Sequence, residues 1–116
     1  MLGKILDYKP KEVNCKEVHK GLTNYLGAHA RHIADASGTR SYLSIPFFST
    51  RIDRQVYLWD GICAHVYARQ RFGRVNSVTV YLLSDTKDVE PLEQIVKQQV
   101  EKIVSAYNQQ DSRRGR

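Results

Sequence analysis

Five arginines and four aromatic residues fall between Arg51 and Arg74: Arg51, Arg54, Arg69, Arg71 and Arg74, with Tyr57, Trp59, Tyr67 and Phe72. His65 stands among them, and Val56, Leu58, Ile62, Ala64, Val66 and Ala68 run between in near alternation. A guanidinium grips phosphate oxygens through a fork of donors, and a ring offers a flat face on which a base stacks. Period-two alternation gathers such groups on one side of a sheet. The chemistry expected here is nucleic-acid binding, DNA or RNA. Arg51, Arg54, Arg69, Arg71 and Arg74 are the expected phosphate contacts, and Tyr57, Trp59 and Tyr67 the expected stacking residues. The alternative is a noncatalytic protein–protein interaction or assembly module that uses the aromatic strand surface, with the charge serving solubility.

Other chemistries find less support. Cys63 and His65 lie two apart on one side of a strand, but nucleophilic catalysis needs an oriented base and a third group, and none is marked. Cys15 and His19, and His29 and His32, have helical spacing for shared ligation. Fourteen residues of helix put the two pairs about 21 Å apart, and no CxxC or HExxH occurs. Asp53 and Asp60 read as loop and turn residues. No catalytic residue, metal or cofactor is expected, and a binding protein is favoured over an enzyme.

Charge supports a polyanionic partner. The chain has 116 residues and a formal charge of +6, from 18 Lys and Arg against 12 Asp and Glu. The excess is local: +4 over residues 40–74 (six Arg, two Asp) and −3 over 75–112 (three Lys, six acids), before Arg113, Arg114 and Arg116. Two cysteines make no disulfide framework, so reduced thiols and a cytoplasmic setting are expected. No apolar run reaches the roughly 18 residues of a membrane span, and no membrane partner is expected. The start has too short an apolar stretch for a signal peptide.

The elements that would position these groups follow from periodicity. Residues 1–13 are ambiguous, with Leu2, Ile5 and Leu6 able to dock on a core. A helix is expected from about Asn14 to Ala36, capped by Asn14, striped by Val18, Leu22, Tyr25, Leu26, His29 and Ile33, and stopped at Ser37-Gly38. Arg40 to Phe48 reads as an edge or bulged strand because of Pro46. Ser49 to Arg51 reads as a loop. Asp60-Gly61 splits Gln55 to Arg71 into a hairpin, a bulge in one long strand being the other solution.

The hairpin decides which residues share a face. It sets Trp59 opposite Ile62, so Tyr57 and Trp59 join Ala64, Val66 and Ala68. Val56 and Leu58 then join Cys63, His65 and Tyr67, with Arg69 and Arg71 on the outer side. A turn at Gly73 leads to a strand over Ser77 to Leu83. The last helix spans about Asp88 to Asn108, with Leu92, Ile95, Val96, Val100, Ile103, Val104 and Tyr107 as its apolar stripe. That stripe also suits a subunit contact, and a homodimer is the expected assembly.

The expected fold is α+β: an N-terminal helix, an antiparallel meander of three or four strands, and a C-terminal helix, with the helices packed on the sheet. Residues 1–108 form one domain in this reading, and 109–116 a basic flexible tail. Double-stranded RNA-binding domains share that order, but Asp88, Glu90 and Glu93 open the last helix where those domains need basic groups. No membership is assigned.

Overall fold

The computed structural model describes residues 2–9, 15–41 and 49–114. The order is β1 (Leu2–Tyr8), α1 (Cys15–His29), β2 (Arg31–Ser41), β3 (Ser49–Trp59), β4 (Ile62–Arg71), β5 (Arg74–Ser84) and α2 (Glu90–Arg114). The five strands form one antiparallel sheet in the order β1-β5-β4-β3-β2. The class is α+β as expected. A strand precedes the first helix, however, and the strands number five rather than three or four.

The two extra strands escape the periodicity for different reasons. In β1, Leu6 is buried but Lys4 points to the same side, where its Nζ lies 4.0 Å from Glu93 of α2. A lysine at an inward position breaks the apolar alternation that marks a strand. In β2, every side chain from Arg31 to Gly38 is exposed, so burial leaves no pattern there. Pairing with β3, from Arg31↔Leu58 to Ser41↔Ser49, overrides the helical preference of its alanines. The expected helix to Ala36 therefore ends at His29, and Ser37-Gly38 is strand rather than a helix stop. Ser49 to Arg51, expected as a loop, begins β3. The Asn14 cap and most of the expected 40–48 strand lie outside the described residues.

Asp60-Gly61 is a two-residue turn with both residues in the left-handed region, at φ 46° and 81°. It sets Trp59 opposite Ile62. One face of the sheet then carries Ala64, Val66, Ala68, Val78, Val80 and Leu82, all with no exposed surface. Against it α1 lays Cys15, Val18, Leu22 and Leu26, and α2 adds Leu92, Val96 and Val100 to the same core. Burying each valine or leucine of this set contributes roughly 1.5–3 kcal/mol. Asp88 caps α2 by accepting from Glu90 N at 3.0 Å, and Glu90 and Glu93 complement the positive helix start. α2 runs to Arg114, past the Asn108 end that the apolar stripe marks.

Candidate nucleic-acid interface

Neither helix packs on the second face of the sheet. Register assigns its rows. Thr79, Tyr67 and Arg54 lie side by side across β5, β4 and β3, and Tyr81, His65 and Val56 form the next row. Leu83, Cys63 and Leu58 follow toward the Asp60-Gly61 turn, with Ile5 of β1 beside Tyr81. In the other direction come Ser77, Arg69 and Ile52, and then the β4–β5 turn flanked by Arg71 and Arg74. Val56 is buried, yet it stands outside the core cluster because its neighbours are the half-buried side chains of this outer face. The face thus grades from apolar at the β3–β4 turn, through aromatic, to cationic at the β4–β5 turn.

The rings form a contiguous group. His65 and Tyr67 lie nearly parallel, with centroids 6.5 Å apart and planes at 12°. Tyr67 meets Tyr81 edge-on, centroids 5.2 Å apart at 75°. All three are half-buried, so each keeps part of its surface in water. Burial pushes the His65 imidazole below its ordinary value, and the positive charge of Arg54 pushes it the same way. Arg54 Nε is itself buried and has no hydrogen-bond partner among the described residues. A donor left in that state is costly unless a ligand supplies the acceptor. Two adjoining depressions share Lys9, Arg69 and Ser77: Tyr67 and Tyr81 line one of them, Arg71 and Asn76 the other.

The expected site residues divide between the two faces. Arg54, Tyr67, Arg69, Arg71 and Arg74 gather on the outer face or at its cationic end. Arg51, Tyr57 and Trp59 point to the helix side. Arg51 Nε lies 3.3 Å from Asp53, which also accepts from Ser37 Oγ at 2.7 Å and Gln70 Nε2 at 3.1 Å. Asp53 is therefore a strand residue that ties polar groups together, not the loop residue expected. Tyr57 is 4% exposed and donates to Thr23 O of α1 at 3.4 Å. Trp59 stacks near Tyr25 and His29, with centroids 6.0 and 6.2 Å away.

His29 departs from the stripe assignment. His29 is exposed, with Nδ1 2.9 Å from Tyr25 O at the end of α1, and His32 sits in β2 beside Gln55. His19 of α1 is half-buried, and its Nε2 has no hydrogen-bond partner among the described residues. Among the described residues, no three His, Cys, Asp or Glu side chains assemble as a metal site would require. No described helix is long and apolar enough to cross a membrane.

Tyr81 and Phe72 were not among the expected site residues. Tyr81 was legible as an outward position of the SVTVYLL alternation. Phe72 was legible from Gly73: a two-residue turn ending in glycine between two alternating runs puts the preceding residue at the tip. In the structure Phe72 has φ 55° and Gly73 φ 74°, and the Arg71 guanidinium carbon lies 5.3 Å from the Phe72 ring centroid. A left-handed backbone at a non-glycine residue costs about 1–2 kcal/mol.

No family model, curated protein or solved structure matches this chain.

Proposed function

We propose that this protein binds nucleic acid on the outer face of its sheet. Arg54, Arg69, Arg71 and Arg74 contact phosphates, and Tyr67, with Tyr81 and His65 beside it, receives bases. One observation carries the reading: a contiguous ring cluster lies beside the buried Nε of Arg54, which has no hydrogen-bond partner among the described residues, on a face that neither helix covers. A ring face and a guanidinium held together on a rigid sheet are the two elements that hold bases and backbone at once. The net charge of +6 favours the same partner. Reduced cysteines fit a cytoplasmic protein.

Binding of labelled single- and double-stranded oligonucleotides, followed by fluorescence anisotropy, tests this. Affinity is expected to fall steeply as salt rises, because each neutralised phosphate releases counterions. The double variant Arg54→Gln/Arg69→Gln should weaken binding and flatten the salt slope. Absence of binding at low salt overturns the proposal.

A second reading draws on the apolar end of the same face. Ile5 is 66% exposed, beside Tyr81 and diagonal to Leu83. An uncovered sheet edge of this kind suits a protein partner, a second copy of the chain included. In that case the oligomeric state measured by sedimentation shifts to monomer on Ile5→Asp.

A further inference from the structure

The β4–β5 turn holds an exposed ring in a backbone conformation that the ring disfavours. Phe72 has φ 55° and is 64% exposed. The β3–β4 turn has the same left-handed pair at Asp60 and Gly61. There the first position is an aspartate, whose short polar side chain tolerates this region. The two turns therefore differ in one respect: the second puts a bulky aromatic where the first puts a compatible residue. Core packing among the described residues does not explain the choice, since Phe72 is largely exposed and lies outside their core cluster. Its surroundings are cationic: Arg71 lies over the ring, Arg74 follows the turn, and Arg69 lies on the same strand.

We propose that Phe72 is a stacking residue for an unpaired base, and that the nucleic acid bound is single-stranded at this position. The inference rests on the nucleic-acid reading of the outer face and names the class of nucleic acid that it takes. A base stacked on Phe72 leaves its phosphates within the field of Arg71 and Arg74, and the neighbouring nucleotides run toward Arg69 and the Tyr67 cluster. In an undistorted duplex each base already stacks on its neighbours and turns only an edge outward, so the tip ring finds no face to cover. Strain at an exposed aromatic then has a use that folding alone does not supply.

The test compares the whole chain with Phe72→Asn and Phe72→Trp. Each binds a labelled single-stranded oligonucleotide and the duplex of the same sequence, and each is melted. The wild type is expected to prefer the single strand. Phe72→Asn should weaken that binding about tenfold, the loss of one stacked base, while its melting temperature stays level or rises. Phe72→Trp should keep the affinity. Unchanged single-strand affinity in Phe72→Asn overturns the role of Phe72 and leaves the broader reading standing. Equal or tighter binding of duplex by the wild type, as an inserted wedge would give, overturns the single-strand assignment. A wild type that binds neither oligonucleotide removes the nucleic-acid reading and this inference with it.

Discussion

Asp60 and Phe72 occupy equivalent backbone positions in two turns of the same sheet, at φ 46° and 55°. The aspartate suits the position and the phenylalanine does not. Phe72→Asn is accordingly expected to raise the unfolding free energy by about 1 kcal/mol, and Asp60→Phe to lower it by a similar amount. The ion pair of Asp60 with Lys87, at 2.7 Å, is exposed and adds little to the second figure. Urea denaturation of the two variants checks the opposite signs.

Tyr57 and Tyr67 lie on the same pair of strands but on opposite faces. Tyr57→Ala empties a site under α1 and should cost about 3–5 kcal/mol of stability. Tyr67→Ala is expected to leave stability within about 1 kcal/mol of the wild type and to weaken oligonucleotide binding roughly tenfold. Denaturation and anisotropy on the same two variants separate the core ring from the surface ring.

Two glycines of α1 differ in what surrounds them. A methyl group on Gly21 would clash with Ile103 Cδ1 of α2, whereas one on Gly27 would meet nothing within 4 Å among the described residues. Gly27→Ala should therefore stabilise the helix by about 0.5–1 kcal/mol. Gly21→Ala should lose that gain to the displacement of Ile103, and Ile103→Ala in the same chain should restore part of it. The order of the denaturation midpoints is the measurement.

The thiols should react in sequence. Cys15 is buried, its Sγ lies 3.4 Å from Asn76 O, and burial pushes its thiol up. Cys63 is half-buried on the outer face. A maleimide is expected to label Cys63 in the folded protein and Cys15 only on unfolding. A bound oligonucleotide should slow the first reaction, which mass spectrometry of the labelled peptides would show.

Stability and binding should respond to pH in opposite directions. Burial lowers both His19 and His65; the nearby Asp53 carboxylate partly opposes this at His19, and Arg54 reinforces it at His65. A folded value below the ordinary 6.5 means that the unfolded chain binds more protons in the window between them. Stability is then full above that ordinary value and falls as pH drops through the window. His19→Gln or His65→Gln should flatten this slope in urea titrations. A polyanion on the face shared by Arg54, His65, Tyr67, Tyr81 and Cys63 favours the imidazolium, so oligonucleotide affinity should rise over the same fall in pH.

The parts of the fold that bury a stripe were legible in the sequence. Leu92, Val96 and Val100 mark α2 by spacing, and Asp60-Gly61 placed Tyr57 and Trp59 with Ala64 and Val66. β2 left no such trace, because an edge strand exposed from Arg31 to Gly38 has no buried side to alternate with. The candidate site was legible in its arginines and in the outward position of Tyr81, but not in how the rings of three strands group. Ring direction depends on register across three strands, and the strain at Phe72 depends on a dihedral angle that residue type alone would have argued against.

The pairing of β1 with β5 has a consequence in time. Leu2 meets Ser84 and Tyr8 meets Val78, so β1 completes the described sheet beside β5. A loop of some seventy residues or more must close before those ladder bonds form, and such distant contacts slow folding. On a growing chain, β1 is made well before β5, the strand on which it docks. Until β5 leaves the ribosome, Leu6 waits without its cover, and a chaperone or a neighbouring chain has its longest opportunity there.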